Sequence, residues 1–100
     1  MDPAKPDIII SDVVVSTAGR DQGDWFYVIG EEPNFLMLAN GKDRTLDKPK
    51  RKKRKHVQKV LRSETRVADK IRLGDKVLNG ELRRDLAFLA SHLQANNLGG

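Results

Sequence analysis

Cysteine is absent from this 100-residue chain, which removes disulfides, thiolate metal ligands and a thiol nucleophile together. The absence fits a reducing compartment, and the expected location is cytoplasmic. Aromatic residues are scarce, with three Phe, one Trp and one Tyr, and hydrophobic residues of all kinds reach only 38%. A chain this short and lean encloses a modest core. Long apolar runs are missing as well. The longest are Ile8-Ile9-Ile10 and Val13-Val14-Val15, far below the ~20 apolar residues a membrane span needs. The opening M-D-P-A-K-P lacks the charged and apolar regions of a signal peptide. Histidine occurs only at His56 and His92, too few and too far apart to build a metal centre without cysteine. None of G-x-S-x-G, G-x-x-x-x-G-K-[ST] or H-E-x-x-H occurs, so no known nucleophile, phosphate-loop or metalloprotease pattern is present. These absences lead to the expectation of a protein that is not an enzyme, with no catalytic residue, metal, cofactor, small-molecule substrate or membrane partner; a monomer is expected as well.

What is present is charge of one sign in one place. Residues 48–56 read K-P-K-R-K-K-R-K-H. Of the 19 basic residues in the chain, seven lie at positions 48–55, leaving 12 basic against 14 acidic elsewhere. The net +5 is therefore one local feature on a mildly acidic protein. Solvated loops ordinarily mix signs to limit self-repulsion, so an unmixed run points to a polyanionic partner. Arg51 and Arg54 have the planar fork that grips phosphate at two points, whereas Lys48, Lys50, Lys52, Lys53 and Lys55 act as point charges. The composition also matches a nuclear import address. Such addresses sit in exposed flexible segments, and here strand-like sequence flanks the run on both sides. The run is expected to be a largely exposed, mobile loop within a folded domain.

The first sixty residues have strand character. Residues 12–17 (D-V-V-V-S-T), 24–30 (D-W-F-Y-V-I-G) and 35–39 (F-L-M-L-A) are β-branched, aromatic or apolar, separated by glycine-containing loops. Asn40-Gly41 is a strong two-residue hairpin signal, predicting a returning strand over 44–47, and the alternation over 55–61 predicts a strand that closes the sheet. In the second strand Trp25 and Tyr27 share one face while Phe26 and Val28 share the other. One pair should face the barrel interior. The other is expected under the helical segment, with base stacking as its alternative role. The last third changes to helical spacing. Residues 66–72 predict a short helix ended by Gly74, and residues 81–93 a second helix opened by Asn79-Gly80, with Leu82, Leu86, Leu89 and Leu93 on one face. The leucine face is expected to be a helix-on-barrel contact, or else a partner-binding surface. The fold class is thus mainly β: a small antiparallel barrel with a helical C-terminal appendage. The expected divisions are a lead-in over 1–10, the barrel over 11–62, a helical extension over 63–95 and a flexible tail over 96–100.

The stretch V-V-V-S-T-A-G-R-D-Q-G-D-W-F-Y-V-I resembles a KOW motif, the strand–loop–strand unit of small SH3-like barrels in ribosomal proteins and transcription elongation factors. S-T-A-G-R-D, N-G-K-D-R and K-P-K-R-K-K-R-K-H-V, in that order, are similar to the archaeal and eukaryotic large-subunit ribosomal protein fourteen-e. They are closer still to its compact bacterial KOW-domain relatives. The resemblance spans residues 11–61 and implies an SH3-like barrel that binds ribosomal RNA, with ribosomal or transcription-machinery proteins as further partners. It implies that Gly19, Arg20 and Gly23 form the KOW loop. It also implies that Asn40-Gly41 falls on the hairpin and Pro49, Lys50, Arg51 and His56 on the basic segment; the expected RNA-binding positions are Arg20, Lys42, Arg44, Lys48, Lys50, Arg51, Lys52, Lys53, Arg54, Lys55 and His56. Asp24 stands where these relatives often carry Lys or Arg. It would repel phosphate and leave Arg20 as the cation of that loop. A protein-interaction module and a nuclear-targeted protein remain as the alternative functions.

Overall fold

The computed structural model describes residues 8–99, with side chains through Leu93; the expected lead-in therefore lies mostly outside the described residues. Five strands, β1 (Asp12–Ser16), β2 (Trp25–Glu31), β3 (Phe35–Ala39), β4 (Lys50–Lys53) and β5 (Val57–Arg62), are followed by α1 (Arg66–Leu73) and α2 (Asn79–Gly99). The strands form one antiparallel sheet in the order β4-β3-β2-β1-β5. The outermost strands, β4 and β5, are joined by a single 3-10 turn, Arg54–His56. A connection that short requires the sheet to curl until its two edges approach. No ladder joins β4 to β5, so the expected closed barrel is realised as a curled, open sheet.

Alternation along the strands divides the apolar residues between two cores. On the concave side Val14, Phe26, Val28, Leu36, Leu38 and Val57 pack together with Ile8, which precedes β1. On the convex side Val13, Tyr27 and Ala39 pack against Ala68, Leu82 and Leu86 of the helices, with Trp25 and Leu89 at the margin. The Trp25/Tyr27 pair thus lies under the helices, as expected of the non-interior pair. The helices form the second core rather than an appendage to the first.

A polar knot fastens that second core. Ser63 Oγ lies 2.8 Å from Tyr27 Oη. Tyr27 Oη donates in turn to the Asp85 carboxylate, which also accepts from Thr65 Oγ1 at 2.8 Å. Thr65 is the N-cap of α1 and accepts from the Ala68 amide at 3.2 Å, the usual device for an orphan first-turn donor. One hydroxyl on β2 is therefore tied to the start of α1 and the middle of α2. Burial and the Asp85 carboxylate push the Tyr27 hydroxyl up to about 12.

The hairpin at Asn40-Gly41 does not form. Gly41 has φ 77, but Asn40 is not in the left-handed region, and a two-residue type I′ turn needs positive φ at both. Instead Asn40 Oδ1 accepts from the Lys42 and Arg44 amides at 2.9 and 3.0 Å, holding an open loop. Residues 44–47 are not a strand, and the chain rejoins the sheet only at Lys50. The loop is claimed by α2. A Cβ on Gly41 would lie 2.2 Å from the Asn79 carbonyl oxygen, and Asn79 Oδ1 accepts from the Leu46 amide at 2.8 Å. Asn79, expected as a helix cap, spends its side chain on this loop. The Leu78 amide donates to Glu81 at 3.2 Å instead. α1 ends as expected at Gly74, which takes φ 75, and α2 stays helical through Gly99.

Candidate nucleic-acid interface

The middle of the basic run is a strand rather than a loop. β4 carries Lys50, Arg51, Lys52 and Lys53, and a strand sends alternate side chains to opposite faces. One sequence of cations therefore becomes two sets with different surroundings.

Lys50 and Lys52 stand opposite Leu38 and Leu36 on the concave side. Lys52 keeps only 7% of its side chain exposed, against the expectation that the run would be solvated. A buried ammonium is tolerated only when paired and hydrogen-bonded. Here Nζ lies 2.5 Å from Asp21 Oδ1 and donates to the Ala18 carbonyl at 2.7 Å. Lys50 Nζ meets the other Asp21 oxygen at 3.3 Å, as an ion pair rather than a hydrogen bond. Ser16 Oγ donates to Asp21 at 2.7 Å. Burial alone would push the Asp21 carboxyl up; the hydrogen bonds from Lys52 and Ser16, with Lys50 alongside, override it and hold the group at about 2. Asp21 belongs to the β1–β2 loop, so this pair ties that loop to the far edge of the sheet.

Arg51 and Lys53 stand opposite Met37 and Phe35 on the convex side, outside the cluster covered by the helices. The Arg51 guanidinium carbon sits 3.6 Å from the centroid of the Phe35 ring, a cation–π contact. Its Nη2 and Nε donate to Glu32 Oε1 at 2.9 and 3.2 Å. More than half of the Arg51 side chain, 53%, remains exposed, and Lys53 is exposed beside it.

Arg54 is a structural residue. Its Nη1 donates to the Ile8 carbonyl and its Nε to the Glu32 carbonyl, both at 3.0 Å, and Nη2 is 3.4 Å from Glu31. Only 15% of the side chain is exposed. Lys55 is exposed on the 3-10 turn, while His56 is half-buried and its carbonyl accepts from the Thr17 amide at 2.8 Å. Among the described residues Lys48, Lys53 and Lys55 pair with no carboxylate; the other four cations of the run pair with Asp21, Glu31 or Glu32.

Gly19 and Gly23 take φ 89 and 92, the left-handed conformations that let the β1–β2 loop reverse. Arg20 projects from it into solvent, as does Asp24 just after Gly23. Lys42 and Arg44 are exposed too, but they follow the C-terminal end of β3, whereas Lys53 pairs with Phe35 at its N-terminal end. They therefore do not join the Arg51–Lys53 surface. Phe35, Met37, Asp21, Glu31 and Glu32 are the residues that sequence reasoning passed over. For the first two the signal was present: in F-L-M-L-A, Leu36 and Leu38 alternate with Phe35 and Met37, so the pairs face opposite ways.

Among the described residues no group of three or more His, Cys, Asp or Glu side chains is placed to hold a metal ion, and no helix is long and apolar enough to cross a membrane. An open depression is lined by Ile29, Leu46, Ile71 and Val77, with Asp75 and Lys76 at the same site. His92 stacks on Phe88, centroids 5.8 Å apart, on the exposed side of α2. Neither a protein-family model nor a curated protein matches the chain.

Proposed function

We propose that this protein binds RNA without catalysis, as a ribosomal or ribosome-associated protein, through the convex face of β4 and the turn after it. One observation carries the reading: the exposed cations Arg51 and Lys53 share a sheet face with Phe35 and Met37 outside the cluster that the helices cover, and Lys55 is exposed on the turn that follows. Lys and Arg in that position displace counterions from the phosphate backbone, and the strand fixes their spacing and direction.

An SH3-like KOW domain is the finer fold that goes with this reading. It is supported by the curl of the sheet, by the single 3-10 turn between β4 and β5, and by the positive φ at Gly19 and Gly23 where the motif has its loop. The loop's role changes in detail. Asp21 turns inward to Lys52, so Arg20 is its contribution to an RNA surface. An import address fits less well, because Arg54 and Lys52 are committed to the fold.

The test is a titration against a single-stranded ribosomal RNA fragment at several salt concentrations. Three or four phosphates neutralised by Lys48, Lys53, Lys55 and Arg51 give a slope of log K on log salt near −2 to −3. That is shallower than seven free cations would give. Absence of salt-dependent binding removes the proposal.

A further inference from the structure

We infer that the outer face of the Arg51 guanidinium is a stacking platform for one unpaired nucleobase, so that the interface prefers single-stranded or looped RNA over duplex. The inference rests on the RNA-binding reading and names the form of RNA that this surface takes.

Most surface arginines sweep through many rotamers and offer no fixed plane. Arg51 is fixed in two ways. The Phe35 ring lies 3.6 Å beneath its central carbon. Two of its N–H groups point to Glu32, Nη2 at 2.9 Å and Nε at 3.2 Å from Oε1. In-plane donors held by a carboxylate and one face held by a ring define the orientation of the guanidinium. The side chain stays 53% exposed at a strand that ends the sheet, and with Phe35 against one face the face we assign to a base is the opposite one. A flat, cationic, pre-oriented surface is complementary to a π-face, because every base has one, and bases stack on Arg planes as on aromatic rings. In a duplex the bases are already stacked on each other, so only an unpaired base can use it.

The surroundings supply the rest of the site. Lys53 stands opposite Phe35 on the same face, and Lys55 is exposed on the turn that follows. Neither pairs with a carboxylate among the described residues. A base on Arg51 would place its flanking phosphates toward these cations, which gives the platform its electrostatic complement. Glu32 is satisfied by Arg51 in the free protein and stays so when a base stacks, since stacking uses the face of the guanidinium and not its edge. The arrangement therefore needs no ion pair to break.

The probes are a short single-stranded RNA, the same sequence as a duplex, a sugar–phosphate strand of equal length without bases, and an acidic peptide of equal charge. Wild type should bind the single strand about tenfold more tightly than the baseless strand, as one stacked base allows. Arg51→Lys keeps the charge and loses the plane. It should bring that ratio close to one while leaving the salt slope unchanged, and Phe35→Leu should lower it in the same direction. Thermal unfolding of both variants at the wild-type temperature certifies that the fold persists. If wild type binds base-bearing and baseless strands equally, or if Arg51→Lys keeps the full ratio, the platform is overturned while RNA binding stands. Equal affinity for the acidic peptide overturns it likewise. If no RNA probe shows salt-dependent binding, both this inference and the function beneath it fall.

Discussion

Arg51 and Lys52 are neighbours in one run of cations, and the fold uses them in opposite ways. Lys52 points into the concave side, almost fully buried, with its ammonium on Asp21 and the Ala18 carbonyl. Arg51 points out, half-exposed, lying on Phe35. Pleating makes the difference: alternate residues face opposite ways. The same composition thus supplies an internal fastener on one side and, on the other, the exposed cations that we propose meet RNA. A basic run is not one functional unit merely because it is contiguous. The opposite sheet edge follows the same rule, where fully buried Asp12 lies 3.4 Å from Lys59 and 3.3 Å from Arg62 of β5. Asp21 reaches β4 from the β1–β2 loop, whereas Asp12 joins β1 to its ladder neighbour β5.

The sharpest way to break the comparison is to exchange the roles. Lys52→Met preserves the stem but strands Asp21 in a part-buried site. It should cost about 2–3 kcal/mol in denaturant unfolding, with Lys50 limiting the loss, and should leave the RNA salt slope of the still-folded protein unchanged. Acid gives the next largest effect. Asp21 is held at about 2 when folded, below the ~3.9 of an unfolded chain. Its contribution is complete above the unfolded value and lost as pH falls toward the folded one. On the order of 1–2 kcal/mol should disappear between roughly pH 4 and pH 2, and Asp21→Asn should flatten that part of the stability curve. Gly23→Ala tests whether backbone geometry presents Asp21 inward. At φ 92 with no atom within 4 Å of a new Cβ, it should cost about 1 kcal/mol by strain alone. Lys53→Gln is the smallest case, with stability within about 0.5 kcal/mol of wild type and the salt slope shallower by roughly 0.7.

Much of the fold was legible in the chain. β-branched, aromatic and apolar runs between glycine-containing loops located β1, β2 and β3, and strand alternation separated Phe26 and Val28 from Trp25 and Tyr27. Helical spacing found α1 and α2, and Gly74 ended α1 where a left-handed residue was needed. The hairpin at Asn40-Gly41 was misread because the local signal lost to a distant one: α2 presses on Gly41 and takes the Leu46 amide through Asn79, 33 residues further along the chain. The candidate site was legible only as composition. That Lys50, Arg51, Lys52 and Lys53 face two ways follows from β4 being a strand, and K-P-K-R-K-K-R-K has no apolar alternation to reveal one. That four of them are paired follows from Asp21, Glu31 and Glu32, which lie 19 to 31 residues away in sequence from their partners. Sheet order sets Glu31 and Glu32, at the β2–β3 turn, beside β4, and the curl brings Asp21 across.

The central claim is that the outward cations bind RNA while the inward ones hold the fold. It is tested most directly by titrating a single-stranded ribosomal RNA fragment, across salt concentrations, against wild type, Lys52→Met and the triple variant Lys48→Gln, Lys53→Gln, Lys55→Gln. Unfolding is measured on the same samples. The account predicts that the triple variant unfolds within about 1 kcal/mol of wild type and that its salt slope is flattened by roughly two units. Lys52→Met should lose stability and keep its slope. A triple variant with the wild-type slope and affinity, or a Lys52→Met protein that loses its slope while still folded, would contradict it.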